Sequence, residues 1–170
     1  MRRFAAAVVL TVALALFIAP RASPAYPGQA ATVPKPGPKD LCPVCGMIVA
    51  EYPNWVATVV WKNGSVQHFD GAKDLFKFLQ ALPKYAPGRK REDIRSTLVT
   101  EFYNLQKIDA TKAFYVIGSD VMGPMGHELV PLGNKADAEE FQRDHRGKRI
   151  LRYDEITPEI VAQVDAGRFN

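Results

Sequence analysis

The chain has 170 residues, of which 47% are hydrophobic and 24% are charged, a composition typical of a folded domain and not of a disordered chain. Its net charge of +4 includes three arginines of a predicted leader; without them, 19 basic residues stand against 18 acidic ones. This near balance argues against nucleic acid as a partner, because phosphate binding requires a basic face.

The first 25 residues have the features of a secretory signal peptide. Arg2 and Arg3 precede an apolar run over residues 5–19, and small residues follow up to Ala25. The apolar run is short for a membrane span, which takes about 20 residues. We therefore expect a protein exported through a cleavable leader, with membrane association only if the leader stays uncleaved. No lipid-accepting cysteine follows the run.

Residues 26–40 contain four prolines and few apolar side chains, which predicts an extended tether. Folded structure is expected to begin near Leu41. We divide it into a first unit over residues 41–108 and a second unit over residues 109–170.

The first unit is predicted to contain strands around one helix. Apolar residues at helical spacing predict a helix over residues 72–82 that Pro83 ends, with Asp70 as its cap. Asn63 and Gly64 predict a hairpin turn with two positive φ angles. The predicted strands cover residues 47–50, 55–61, 66–69 and 98–108.

The second unit repeats this order. A helix is predicted over residues 135–144, and a last helix begins at Pro158 with Thr157 as its N-cap. The predicted strands cover residues 113–117, 128–132 and 150–156. Both units therefore have the order strand–strand–helix–strand, which predicts an α+β fold of two small ββαβ units that arose by internal duplication.

Every sulfur atom after Met1 lies in one of two short loops rich in glycine and proline. The first loop, residues 42–47 (CPVCGM), and the second, residues 122–127 (MGPMGH), carry six candidate ligands: Cys42, Cys45, Met47, Met122, Met125 and His127. Methionines that only fill a core would be scattered along apolar faces. Thioether, thiolate and imidazole groups together form the ligand set that selects copper(I).

These loops lead to the hypothesis of a non-enzymatic copper(I)-binding protein. Met122 and Met125 are the central ligands with His127 beside them, and the first loop supplies a second or completing group. Thioethers need no deprotonation and form no disulfides, so they suit an oxidising compartment. Glu128 is a candidate to orient the imidazole.

Other functions of the two loops remain open. Cys42 and Cys45 could form a structural disulfide, which an oxidising compartment favours, or act as a thiol–disulfide oxidoreductase pair. A zinc site would need two further ligands that the sequence does not supply as cysteines or paired histidines. The second loop could be an apolar turn, and the protein a non-metal protein-binding module. His68 is interpreted as structural, and His145 as part of a solvated helix end.

The chain resembles the NosL family in four stretches, residues 42–47, 113–119, 123–129 and 153–156. The resemblance implies a periplasmic copper(I) chaperone that helps to build the catalytic copper centre of nitrous oxide reductase, an enzyme of denitrification. The implied partner is that reductase or its assembly proteins. The implied fold is two ββαβ units related to organomercurial lyase. Many NosL proteins look like lipoproteins, a feature that this leader lacks.

Overall fold

The computed structural model describes residues 33–169, which form an α+β fold. The leader predicted over residues 1–25 and the first part of the predicted tether lie outside these residues. The part of the tether that is described, residues 33–40, has no helix or strand. Within residues 33–169, no helix combines the length and apolar character that crossing a membrane requires.

The first sheet has four antiparallel strands in the order β2-β1-β3-β4. Its strands are β1 (Ala57–Trp61), β2 (Val66–Phe69), β3 (Ile94–Thr100) and β4 (Lys107–Asp109). All of β1 is buried, as expected for an apolar strand with neighbours on both sides. The strands predicted over residues 55–61 and 66–69 are confirmed, the first with a later start.

The β1–β2 turn differs from the prediction. Gly64 has a positive φ of 86°, whereas Asn63 does not. The Gly64 amide donates to the carbonyl of Trp61 at 3.0 Å, and Asn63 Oδ1 accepts from the amide of Ser65 at 3.1 Å. The asparagine side chain thus holds the turn locally, and one left-handed residue is sufficient to reverse the chain.

The helix predicted over residues 72–82 is observed as α1 (Ala72–Gln80), followed by the short α2 (Leu82–Tyr85). Pro83 does not end α1, which has already finished at Gln80. It lies in the first turn of α2, where its missing N–H costs nothing.

Two predicted strands of the first unit are wrong in extent or type. Residues 47–50 form no strand, because the Cys42 amide donates to the Met47 carbonyl at 2.9 Å and a 3₁₀ helix (Val49–Glu51) follows. The strand predicted over residues 98–108 is two strands, β3 and β4. Glu101 separates them, since its carboxylate accepts amides of the connecting loop.

The second sheet has three antiparallel strands in the order β8-β5-β9, and a separate two-stranded hairpin lies between β5 and β8 in the chain. The strands are β5 (Phe114–Ile117), β6 (Met122–Gly123), β7 (Gly126–His127), β8 (Val130–Leu132) and β9 (Arg149–Arg152). The strand predicted over residues 150–156 ends early, because a 3₁₀ helix (Tyr153–Glu155) follows β9.

Both predicted helices of the second unit are confirmed as α3 (Lys135–Asp144) and α4 (Pro158–Asp165). Each begins at a side-chain cap. Asn134 Oδ1 accepts from the amide of Asp137 at 2.9 Å, and Thr157 Oγ1 accepts from the amide of Ile160 at 3.4 Å.

The two units share one strand order. Three strands of each unit follow the same arrangement in chain order. The first strand is central in the sheet, the second pairs on one side of it, and the third pairs on the other side after a helix. The equivalent triplets are β2-β1-β3 and β8-β5-β9. The predicted order strand–strand–helix–strand is thus observed in both halves, and their origin by duplication stays a prediction.

Helix α1 packs against the sheets of both units. Phe78 lies 4.9 Å from Phe69 of the first sheet, and Phe76 lies 5.2 Å from Tyr115 of the second, measured between ring centroids. Each buried aromatic side chain stabilises the fold by about 1.5–3 kcal/mol. The two units therefore share one main core. Because α1 packs against both sheets, the residues at its N-terminal end have a fixed position relative to both units.

Candidate metal centre

The loop of residues 42–47 is folded back on itself by two backbone hydrogen bonds. The Cys42 amide donates to the Met47 carbonyl, and the Gly46 amide donates to the Cys42 carbonyl, both at 2.9 Å. Gly46 has a φ of 78°, which allows the reversal. Cys42 is buried, Cys45 is half-buried, and both are free thiols.

Two carboxylates at the start of α1 meet these thiols. Cys42 Sγ donates to Asp74 Oδ2 at 3.3 Å, and Cys45 Sγ donates to Asp70 Oδ1 at 3.4 Å. One ligand atom from each of the four residues lies within 4.8 Å of the others. We call these residues the thiol–carboxylate cluster: Cys42, Cys45, Asp70 and Asp74.

The cluster concentrates acidic groups in a buried place. Burial raises the pKa of Cys42 to about 12, and burial also raises the pKa values of Cys45 and Asp70. Asp74 Oδ1 is buried and accepts no hydrogen bond from the described residues, although Lys77 Nζ lies 3.5 Å away. The cluster therefore has an excess of donor atoms that a cation would satisfy.

Sequence reasoning missed both carboxylates of this cluster. Asp70 was predicted to cap α1, but the N-cap is Gly71, without a side-chain cap, and Asp70 accepts from Cys45 instead. Asp74 carried one available indication, since it is an acidic residue one helical turn after Asp70 in an otherwise apolar helix face. The contacts themselves span 25 and 32 residues and could not be found by local pattern.

The second sulfur-bearing loop is the β6–β7 pair, which we call the methionine hairpin (Met122–His127). Met122 lies directly opposite His127, and Gly123 lies opposite Gly126. Opposed residues of an antiparallel pair project their side chains to the same face. The side chains of Met122 and Met125 are 51% and 44% exposed, so both thioethers can be reached from solvent.

The imidazole of His127 is covered on one side by residues near the C-terminal end of the chain. Its ring packs edge-on against Phe169 with centroids 4.9 Å apart, and Gly167 lies close to its Nε2 edge. Its Nδ1 is buried and has no hydrogen-bond partner among the described residues. A buried ring nitrogen without a partner is costly, and coordination of a metal would remove that cost.

The methionine hairpin is fastened to the N-terminal end of α1. Lys73 Nζ donates to the carbonyls of Met125 and His127 at 3.1 and 2.8 Å. Glu128 Oε1 accepts from the amides of Lys73 at 2.6 Å and Leu129 at 2.8 Å. Burial raises the pKa of Glu128 to about 7. The expectation that Glu128 orients the imidazole is not met, because its carboxylate holds the α1 backbone.

Both sulfur-bearing loops therefore meet the same end of α1, although they are far apart in sequence. Asp70 and Asp74 contact the first loop, and Lys73 contacts the second. The contact described for Met47 in this arrangement is made by its backbone carbonyl. Coordination by the six predicted ligands, Met47 among them, stays a prediction.

The other two histidines contact neighbouring side chains, and His145 lies at the C-terminal end of α3. His68 is buried, and its Nδ1 lies 3.0 Å from Thr58 Oγ1. His145 Nδ1 lies 3.2 Å from Asp120 Oδ1. Neither residue belongs to the thiol–carboxylate cluster or to the methionine hairpin.

The sequence is similar to that of a known protein family. The NosL family model matches residues 34–161. The chain is 30% identical over 125 residues to the copper-binding lipoprotein NosL of Stutzerimonas stutzeri, which covers 73% of this chain and 65% of the relative. The chain thus spans just under two thirds of that relative's length.

The fold is also similar to that of a solved structure. The crystal structure of the copper chaperone NosL from Shewanella denitrificans superposes with a TM-score of 0.61 at 28% sequence identity. The superposition covers 78% of this chain and 99% of that one. The chain therefore belongs to the NosL family.

Proposed function

We propose that this protein is a periplasmic copper(I) metallochaperone that delivers copper for maturation of the catalytic centre of nitrous oxide reductase. The observation that carries the proposal is the methionine hairpin, which holds two exposed methionines, one of them opposite His127, whose Nδ1 has no hydrogen-bond partner in the described part of the chain. Relatives named as a copper-binding lipoprotein and a copper chaperone support the same role.

The hairpin's chemistry suits a cargo that must be released. Thioether and neutral imidazole ligands bind copper(I) without losing a proton. Because Met122 and Met125 are exposed, ligands of a receiving protein can replace them one at a time. Transfer by ligand exchange needs no covalent chemistry in the chaperone, so we assign no enzymatic activity. Cys42, Cys45 and Met47 form the second soft donor group.

The recipient and location rest on the family. The relative from Stutzerimonas stutzeri is named a lipoprotein, which implies export of that protein. We extend export to this chain because its first 25 residues have the features of a signal peptide. A recipient in the same compartment, nitrous oxide reductase or its assembly proteins, follows as part of the proposal.

The raised pKa values of the two thiols disfavour the alternative function, a thiol–disulfide oxidoreductase. A reactive cysteine needs a lowered pKa, because the thiolate is the nucleophile. Burial raises the pKa of Cys42 to about 12 and also raises that of Cys45. The carboxylates of Asp70 and Asp74 beside them further disfavour thiolate formation.

Copper(I) titration of the purified protein against a chromogenic chelator tests the proposal. We expect tight binding in the wild type and a loss of about 100-fold or more in affinity for a Met122→Leu/Met125→Leu variant, because leucine keeps the shape but offers no donor. His127→Gln is expected to weaken binding, and His145→Gln is the matched control, since His145 is paired with Asp120.

Two results would contradict the proposal at different levels. Absent copper(I) binding, or the same affinity in the double methionine variant, would remove the role of the hairpin. The second test mixes the copper-loaded protein with copper-free nitrous oxide reductase or its assembly proteins, and measures the metal content of each after separation. If no copper is transferred, the proposed recipient is wrong and the copper-binding role stands.

A further inference from the structure

A cavity with a volume of about 330 Å³ lies beside the C-terminal end of α1, where Leu79 contributes to its lining. We call it the arginine cavity, because Arg91 and Arg95 line it together with apolar and hydroxyl side chains. Sites for small molecules have volumes of about 300–1,000 Å³. Both sulfur-bearing loops contact the opposite, N-terminal end of α1, so the cavity is separate from the candidate copper ligands.

The two arginines are placed to receive an anion. Arg91 lies just before β3, and its Nη2 donates to the carbonyl of Leu79 at 2.9 Å. This bond fixes the guanidinium at the cavity and leaves its other N–H groups available. The guanidinium of Arg95, in β3, makes no hydrogen bond or ion pair with any residue of the range 33–169. A guanidinium fork without a partner matches the geometry of a carboxylate or phosphate group.

Hydroxyl groups without partners complement the two arginines. Thr97 lines the cavity and is only 5% exposed. Within the described part of the chain, neither its hydroxyl nor those of Ser96 and Tyr153 forms a hydrogen bond. Arg95 and Thr97 are two residues apart in β3, so their side chains project to the same face of the strand. A charged donor and a neutral donor are thus available to one bound group.

The carboxylate among the lining residues, that of Asp109, is already compensated by its neighbours. Its Oδ1 accepts from the amide and the hydroxyl of Thr111 at 2.9 and 2.7 Å, and its Oδ2 lies 3.9 Å from Lys112 Nζ. Against this one carboxylate stand the two guanidinium groups of Arg91 and Arg95. The cavity therefore has a positive potential, which attracts anions and disfavours cations.

We propose that the arginine cavity binds a small organic anion, whose carboxylate or phosphate group is held by the guanidinium groups of Arg91 and Arg95 and by the hydroxyl of Thr97. The apolar part of the ligand packs against Leu79 and Ile94, which are the aliphatic lining residues. This binding activity does not rest on the copper function proposed above. Because Arg95 is exposed, solvent and salt screen its charge, and the affinity is sensitive to ionic strength.

NMR titration of the isotope-labelled, metal-free protein with citrate, and separately with inorganic phosphate, tests the proposal. At low ionic strength we expect saturable shifts of the amide signals of Ser96, Thr97 and Thr111. The amides of Gly126 and His127 in the methionine hairpin should not shift. Added sodium chloride should weaken the binding. Whichever anion binds more tightly identifies the acidic group that the cavity prefers.

Variants separate the cavity from the general positive charge of the surface. Arg95→Gln is expected to weaken binding by about tenfold, because the charged donor is lost at an exposed position that tolerates substitution. Thr97→Val keeps the shape of the side chain and should weaken binding by about threefold. Arg149→Gln is the matched control, since Arg149 is an exposed arginine of a strand, β9, and lies outside the cavity. It is expected to bind as the wild type does.

Saturable binding of either anion that Arg95→Gln weakens and Arg149→Gln does not would support the site. Three results would overturn it: no saturable shifts with either anion, equal losses in both arginine variants, or binding to phosphatidylglycerol vesicles without binding of the soluble anions. The wild-type titrations remain informative if Thr97→Val does not fold. All of these measurements use metal-free protein, so failure of the copper(I) function would leave this result unaffected, and the reverse also holds.

Discussion

Gly71 is the residue at which the lack of a side chain matters most for the site. It precedes α1, and a Cβ at this position would collide with Oε2 of Glu128. Its backbone is extended, with a φ of −163°, so any residue could adopt its conformation. Glycine is therefore required because the start of α1 lies too close to the segment after the hairpin to leave space for a Cβ.

Gly71→Ala is expected to lower the free energy of unfolding by about 1–3 kcal/mol, because the buried Glu128 carboxylate must move off the α1 backbone. Urea unfolding followed by circular dichroism measures the change. Gly37→Ala is the control, since a Cβ there would meet only Asp40 at 3.4 Å, an ordinary contact distance. Equal effects of both substitutions would show that the space at Gly71 is not limiting.

Lys107 makes the stability of the fold depend on pH, independently of the candidate metal ligands. Burial lowers its pKa to about 7, and its ammonium group donates to the Val56 carbonyl and to Thr100 Oγ1. Because the folded pKa lies below the ordinary value of 10.5, the unfolded chain binds more protons between these pH values. The contribution of Lys107 to stability therefore rises as pH increases from about 7 to about 10, falls over the same range as pH decreases, and levels off below about 7.

The difference in unfolding free energy between the wild type and Lys107→Met is expected to shift in favour of the wild type by about 1–2 kcal/mol from pH 7 to pH 10. Comparing the two proteins at each pH cancels the ionisation of the cysteines. A difference that stays constant over this range would contradict the lowered pKa.

At the scale of elements, α1 connects the two donor groups of the protein. Its first turn presents Asp74 to the Cys42 thiol and Lys73 to the carbonyls of the hairpin. The buried Phe76 and Phe78 further along fix the helix against both sheets. The precision of both donor groups therefore depends on a helix that does not itself contain a sulfur atom.

Lys73→Met is expected to weaken copper(I) binding by about tenfold, because the carbonyls of Met125 and His127 lose their donor and the hairpin is positioned less firmly. Hydrogen exchange of the Gly126 and His127 amides should become faster, a change that loss of overall stability alone would not confine to the hairpin. Lys84→Met in α2 is the control. Unchanged exchange in the hairpin would contradict the positioning role of Lys73.

The elements that sequence reasoning predicted best are those determined locally. Helix α3 was predicted with its observed bounds, because Asn134 caps it and apolar residues recur on one face. Likewise, Thr157 and Pro158 set the start of α4. The short β6–β7 pairing was not predicted, since two residues per strand produce no periodic pattern.

The candidate site could be predicted only in part, for a comparable reason. The sulfur residues are conspicuous by type and spacing, so the two loops were found from the sequence. Asp70 and Asp74 became visible as candidate ligands only through contacts with residues 25 and 32 positions away, which depend on how the first loop folds back onto α1. Their carboxylates change the expected chemistry of the cysteine pair.

At the scale of the whole molecule, both units contribute to one main core, so the sheets are not independent bodies. Phe76 and Tyr153 lie 5.1 Å apart and join α1 to the segment after β9. A boundary near residue 108, predicted from the repeated order, separates two topologically similar halves. The main core extends across it, and a smaller cluster between the second sheet and α3 has Trp55 and Phe102 of the first unit packed against it, so we expect the halves to unfold together.

The contact between His127 and Phe169 has a practical consequence for work with this protein. An affinity tag fused after residue 170 would begin two residues beyond Phe169, whose ring covers the imidazole. A polyhistidine extension at that end would supply competing nitrogen ligands and would distort any measured copper affinity. Purification handles should therefore be placed away from Phe169, or should be cleaved before metal titrations.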